Sequence, residues 1–167
     1  PACAHDNPDG SRFCGQCGTQ LAAAPQQDTW KPAGERRQVT IMFADLAGFT
    51  RLTRTLDAEE VHRLLNLFFE VSDAAVRRHG GHIDKHIGDN VMALFGAPVA
   101  HTDDPARAVR TALEIHEAVT GVATGTGESL AAHIGIATGE VVASTTGSAA
   151  HQEYTVIGEA VNLASRL

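Results

Sequence analysis

A chain of 167 residues, 43% hydrophobic and 20% charged, can bury one core of ordinary size with a small appendage at most. Its 13 basic and 20 acidic residues leave a formal charge of −7, which argues against general electrostatic binding to nucleic acid and leaves an anionic nucleotide dependent on metal ions. No apolar run approaches the roughly 18 residues of a membrane span, and no charged-then-apolar leader precedes a cleavage site.

All three cysteines fall within the first 17 residues, as Cys3, then Cys14 and Cys17 in FCGQCGTQL. A CxxC whose second cysteine precedes glycine can aim two thiolates at one zinc ion, with Cys3 as a third ligand; a disulfide or free thiols are the alternatives. His5 could supply a fourth ligand. Pro1, Ala2 and Cys3 also read as the end of a CPxC pair, which would complete C-x2-C-x10-C-x2-C. That pattern resembles the short zinc ribbons at the start of many bacterial signalling proteins and assigns residues 1–20 to a partial ribbon. Residues 21–35, rich in Ala, Pro and Gln and without hydrophobic periodicity, read as a linker.

Residues 36–167 carry the principal domain. A strand from about Gln38 to Asp45 sets Val39, Ile41 and Phe43 on one face and leads into the turn LAGFT. Asp57 and Glu60 then form a capping-box-like start to an amphipathic helix, with Val61, Leu64, Leu65, Phe68, Val71 and Ala75 at spacings of three and four. Arg77 through Gly81 give it a basic last turn and a stop. Ile83–Ile87 and Val91–Phe95 read as a hairpin hinged at Gly88, Asp89 and Asn90, which puts Asp89 at the tip. Asp104 and Pro105 open a second helix whose face is Val109, Ala112, Leu113, His116 and Val119, with His116 as packing. Strands are expected over Leu130–Ala137, Glu140–Ser144 and Tyr154–Ile157, and a final helix opens at Gly158. This order predicts an α+β sandwich, with helices on one face of a largely antiparallel sheet.

Within this frame Asp45 and Asp89 each end or interrupt an apolar run beside glycine. Burying an ionised carboxylate is unfavourable without a cation or donors, so the pair suggests a shared divalent metal site; a lone strand-end Asp is more commonly a turn or cap residue. The order FADLAGFT, GGHIDKHIGDNVMALFG, HIGIATGEVV and YTVIGEAVNLASRL resembles the class III adenylyl/guanylyl cyclase catalytic domains of bacterial type, over roughly residues 36–167. The resemblance implies a ferredoxin-like, palm-type fold, truncated here at its C-terminus and followed by other domains.

It also implies the site. Asp45, Asp89 and the backbone carbonyl of Leu46 would hold two Mg²⁺ or Mn²⁺ ions, and amides of Gly48, Phe49 and Thr50 would meet phosphate oxygens. Lys85 and Thr155 occupy the purine-reading positions. Their chemistry favours adenine, whose N1 accepts and whose 6-amino group donates; guanylyl cyclases of the family carry an acid at the lysine position. Many adenylyl cyclases have Asp where Thr155 stands, and threonine is a familiar bacterial variant. Asn162 would orient the ribose and Arg166 would stabilise transition-state charge, four residues apart on the last helix; a solvated polar face is the plainer reading of that spacing. Glu140, His133 and Asp84 receive no catalytic role. Because the family builds its site from two cyclase domains, a chain with every part implies a homodimer. The expected activity is that of a cytoplasmic adenylate cyclase making cyclic AMP from ATP in intracellular signalling. A guanylate cyclase and a catalytically silent nucleotide sensor or dimerisation module are the alternatives.

Overall fold

In the computed structural model, residues 3, 5–7, 13–19, 34–122, 129–148 and 151–167 are described, without the side chains of 146–148 and 151–153. The expected linker at 21–35 and the Gly/Thr-rich loop at 121–127 therefore lie largely outside the described residues. The chain divides into two units, Pro1–Pro32 and Ala33–Leu167.

The second unit runs β1 (Glu35–Leu46), α1 (Phe49–Thr55), α2 (Ala58–Arg78), β2 (His82–Ile87), β3 (Asn90–Phe95), α3 (Asp104–Thr120), β4 (Ala132–Ser148), β5 (His151–Ile157) and α4 (Glu159–Ala164). Its sheet has the order β2-β3-β1-β4-β5, with every pairing antiparallel. The α+β class is as expected. β1 is the central strand and is covered on both faces, because successive side chains alternate across the sheet. Met42, Ala44 and Leu46 join Leu64, Phe68 and Val76 of α2 and Ala108 and Ile115 of α3 in one core layer. Val39 and Ile41 join Met92, Leu94, Val141 and Val156 in the other, against Ala160 and Ala164 of α4. The long helices thus share one face, and short α4 lies on the opposite one.

α2 begins as its sequence requires. Asp57 is the N-cap, and its carboxylate accepts a hydrogen bond from the Glu60 amide at 2.7 Å, satisfying a donor that has no intrahelical partner. α3 departs from expectation. Its N-cap is Asp103, since the buried carboxylate of Asp104 is turned back to accept from the His101 amide at 2.8 Å. The buried stripe is Ala108, Thr111, Ala112, Ile115 and Val119, whereas Val109, Leu113 and His116 are exposed. Small Ala and Thr at the contact let α3 approach the sheet closely, and a hydrophobicity pattern that favours larger side chains selects the wrong stripe.

Two further boundaries were misread. LAGFT contributes to a short helix, α1, entered through Gly48 at φ 74°, a left-handed conformation that glycine adopts without a Cβ penalty. The break expected around Thr138 and Gly139 is absent, and β4 continues through Gly139, paired with Val39. Glycine is needed there for packing rather than turning, since a Cβ on Gly139 would lie 2.8 Å from the Ala160 Cβ of α4. Gly135, four residues earlier on the same face, likewise leaves room for the carbonyl of Ala164. These two glycines let α4 lie flat on β4.

The sheet is curled. β2 and β5 are its opposite edges, yet the Thr155 hydroxyl of β5 donates to Asp84 Oδ2 of β2 at 3.1 Å.

Candidate active site

At the end of β1, Asp45 stands opposite Asn90 on one neighbouring strand and His133 on the other. β2 and β3 are joined by Gly88 and Asp89, with Gly88 at φ 65°, so Asp89 occupies the hairpin tip beside Asn90. The antiparallel register therefore gathers Asp45, Asp89, Asn90 and His133 at one rim of the sheet. The Asp45 carboxyl is held above the usual carboxylate range, chiefly by burial and further by the negative charge of Asp89, against an opposing pull from His133. His133 Nδ1 lies 3.8 Å from Asp45 Oδ1, too far for a hydrogen bond. Asp45 Oδ1 and Asn90 Oδ1 are both buried and accept no hydrogen bond within the described residues. Two orphaned oxygens beside a second carboxylate form a donor set suited to a hard divalent cation, which takes oxygen ligands and offsets the cost of leaving them dry. Leu46 continues β1 past Asp45, and Gly48 caps α1 immediately beyond.

Phe43, Asp45, Asn90 and His133 line a small pocket, closed from above by Ala164, Ser165 and Leu167. Asn162 and Arg166 are both exposed. The expectation that they share a helix is corrected: α4 ends at Ala164, and Arg166 lies in the following turn, its amide bonded to the Leu163 carbonyl.

The second cluster joins the sheet edges. Lys85 Nζ is 3.5 Å from Asp84 Oδ2, the same oxygen that accepts from Thr155. The two residues expected to read a purine, 70 positions apart in sequence (155 minus 85), are thus gathered around one carboxylate. From sequence Asp84 and His133 have no catalytic role and Asn90 is only a hairpin hinge. The signal for Asp84 was the polar pair it forms with Lys85 inside an edge strand; nothing local marked Asn90 or His133, which owe their places to strand register.

In the first unit, the sulfur atoms of Cys3, Cys14 and Cys17 lie within 4.8 Å of one another, and His5 is not among them. The Cys14 thiol is pulled down to about 6 by the backbone amides of Cys17 and Gln16, which favours its thiolate form. Cys17 is also lowered, through the Thr19 hydroxyl and amide, while Cys3 is raised by hydrogen bonding to Cys17.

A curled antiparallel sheet with acids at the end of its central strand and at the adjoining hairpin tip is the architecture of a nucleotidyl cyclase catalytic domain. The sequence model for the adenylate and guanylate cyclase catalytic domain matches residues 32–167, and the chain belongs to that family. It is 41% identical over 158 residues to the uncharacterized protein Rv1320c of Mycobacterium tuberculosis (strain ATCC 25618 / H37Rv), a match covering 90% of this chain and 26% of that protein. The chain spans about a quarter of the length of the curated relatives it matches. Among solved structures it is similar to the guanylyl cyclase Cya2, with TM-score 0.75, 42% identity, and 80% and 70% of the two chains covered. It is also similar to the adenylyl cyclase CyaB from P. aeruginosa, with TM-score 0.70, 32% identity, and 79% and 71% covered. No helix among the described residues is long and apolar enough to cross a membrane.

Proposed function

We propose that the chain is the catalytic domain of an adenylate cyclase that converts ATP to cyclic AMP and pyrophosphate. The observation that carries the base choice is the convergence of Lys85 and Thr155 on Asp84. A lysine ammonium donates to adenine N1, and a hydroxyl already donating elsewhere accepts from the 6-amino group. Guanine would present an N1–H to the ammonium and a carbonyl to the hydroxyl, mismatching both.

Asp45, Asp89 and the Leu46 carbonyl would hold two Mg²⁺ or Mn²⁺ ions, which when bound supply charge neutralisation of the triphosphate and acidify the ribose 3′-hydroxyl. The orphaned oxygens of Asp45 and Asn90 support that role. Amides of Gly48, Phe49 and Thr50 donate to phosphate oxygens, as the open first turn of α1 allows. Asn162 orients the ribose, and Arg166 donates to the α-phosphate as its charge develops. The bond from O3′ to the α-phosphorus forms as the bond to the leaving pyrophosphate breaks, and the hydroxyl proton passes to solvent. The metal acids and the base-reading residues act across a homodimer interface, giving two equivalent sites. Cys3, Cys14 and Cys17 hold zinc with a fourth ligand from outside this group, and thiols kept reduced suit a cytoplasmic protein.

The similarity to a guanylyl cyclase at 42% identity favours one second reading, cyclic GMP from GTP. Incubating a protein that extends past Leu167 with equal ATP and GTP plus Mn²⁺, and quantifying both cyclic nucleotides by mass spectrometry, decides between them. Dominant cyclic AMP supports the proposal, dominant cyclic GMP transfers it to the second reading, and no product from a folded dimer favours a silent sensor.

A further inference from the structure

Asp84 is the one carboxylate of the β2 strand that the proposed chemistry leaves without a task. Adjacent residues on a regular strand point to opposite faces, so neighbouring Asp84 and Lys85 should not meet. The ladder between β2 and β3 shifts register between Ile83 and Lys85, pairing Ile83 with Ala93 and Lys85 with Met92 and leaving Asp84 without a partner of its own. Such a bulge re-aims side chains. The Asp84 carboxylate ends up with 0% exposure, while Lys85, at 32%, stays within reach of solvent. Oδ2 accepts the Thr155 hydroxyl at 3.1 Å and lies 3.5 Å from Lys85 Nζ. Oδ1 is buried with no hydrogen-bond partner among the described residues.

A threonine hydroxyl has one proton and two lone pairs, whereas an ionised carboxylate only accepts. While Thr155 donates its proton to Asp84, it can face a ligand only as an acceptor. We infer that Asp84 is a positioning residue for base selection: by holding the Thr155 proton, it converts an ambiguous hydroxyl into an obligate acceptor that requires a hydrogen-bond donor, an exocyclic amino group, at the purine 6-position. This deepens the adenylate reading and rests on it. It explains how threonine performs at this position the task of an acceptor-only acid. Without Asp84 the hydroxyl is free to rotate and donate to a 6-carbonyl, so the site loses its ability to tell the two apart.

The test is equilibrium binding to the full chain, with Mn²⁺, of 3′-deoxy-ATP and of the 3′-deoxy triphosphate of 6-methoxypurine riboside. Both lack the attacking hydroxyl, so the readout does not depend on turnover, and both keep N1 as an acceptor; the 6-substituent is a donor in the first and an acceptor in the second. The wild type binds the amino-bearing probe about five- to tenfold more tightly, as expected for one hydrogen bond. Asp84→Asn, whose amide can donate to Thr155 Oγ1 and so frees the hydroxyl proton for the ligand, brings the ratio below about twofold. Thr155→Val does the same, and adding Asp84→Asn to Thr155→Val changes the ratio no further, a non-additivity that a merely structural role would not produce. If Thr155→Val loses the preference but Asp84→Asn retains it, the role of Asp84 is overturned and the purine assignment stands. If Thr155→Val itself keeps the wild-type ratio, the purine assignment fails. A crystal structure of the wild type with 3′-deoxy-ATP checks the same point without a variant. Thr155 Oγ1 is expected within hydrogen-bond distance of both Asp84 Oδ2 and the 6-amino nitrogen, and an Oγ1 that has left Asp84 overturns the inference.

Discussion

Asp45 and Asp84 are both strand aspartates with an orphaned oxygen, but Asp45 keeps 37% of its side chain exposed and Asp84 none. Asp45 lies one residue before the end of the central strand, at a rim where the negative charge of Asp89 acts on it. Asp84 sits inside the curl, with a hydroxyl and an ammonium gathered about one oxygen. The difference teaches that burial alone does not define an acid's role. A half-open carboxylate near a like charge calls for a cation from solution, whereas an enclosed one already close to cationic and donor groups fixes the geometry of its neighbours.

The largest expected effect separates the two regions. Asp45→Ala or Asp89→Ala lowers cyclic nucleotide formation by about a thousandfold or more, consistent with loss of electrostatic stabilisation of a phosphoryl transition state, and leaves the melting temperature almost unchanged. Asp84→Ala removes the acceptor of the half-buried Thr155 hydroxyl and lowers it. Assays of turnover and thermal unfolding on the same preparations check this, and equal destabilisation by all three breaks the comparison.

Next, Lys85→Glu reverses the charge presented to purine N1 and reduces the ATP-to-GTP ratio of kcat/KM by about tenfold to a hundredfold. An unchanged ratio removes the base-reading role from this cluster.

Gly135→Ala adds a methyl where the Ala164 carbonyl approaches β4. It costs about 1–3 kcal/mol in urea unfolding, and by displacing α4 it lowers kcat through Arg166 and Asn162. Full stability in this variant would show that the seat of α4 on β4 is not set by contact.

The smallest effect concerns proton linkage at the rim. Because the Asp45 carboxyl is raised in the folded protein, chiefly by burial, the fold binds its proton more tightly than the unfolded chain does. That contribution is fully present below the ordinary carboxyl range and is lost as pH rises through the raised value. At neutral pH without divalent ions, Asp45→Asn is therefore expected to raise the melting temperature by about 1–2 °C, with the difference vanishing in acid. Mn²⁺ stabilises the wild type and not this variant, because only the wild type offers the carboxylate.

Much of this was legible in the chain. Asp57 capping α2, the hairpin that presents Asp89 and the glycine-led entry to α4 follow from local chemistry, where each residue acts on neighbours three or four positions away. The four motifs in order carried the family, since their residue types are those the site chemistry needs. α3 resisted because its buried stripe is built from small residues, and Gly139 because a glycine inside a strand looks like a turn until the helix packed over it is known.

From the residues alone came the order of the longer helices and of the hairpin, the cap of α2, the acidic pair and the family. Only the tertiary structure decided that Thr155 meets Asp84 across 71 positions, that Asn90 and His133 flank Asp45, and that the helix ends before Arg166. The physical reason is range. Capping and periodicity act within a turn or two of chain, whereas register, sheet curl and the bulge at Asp84 are settled by which distant surfaces can be buried together.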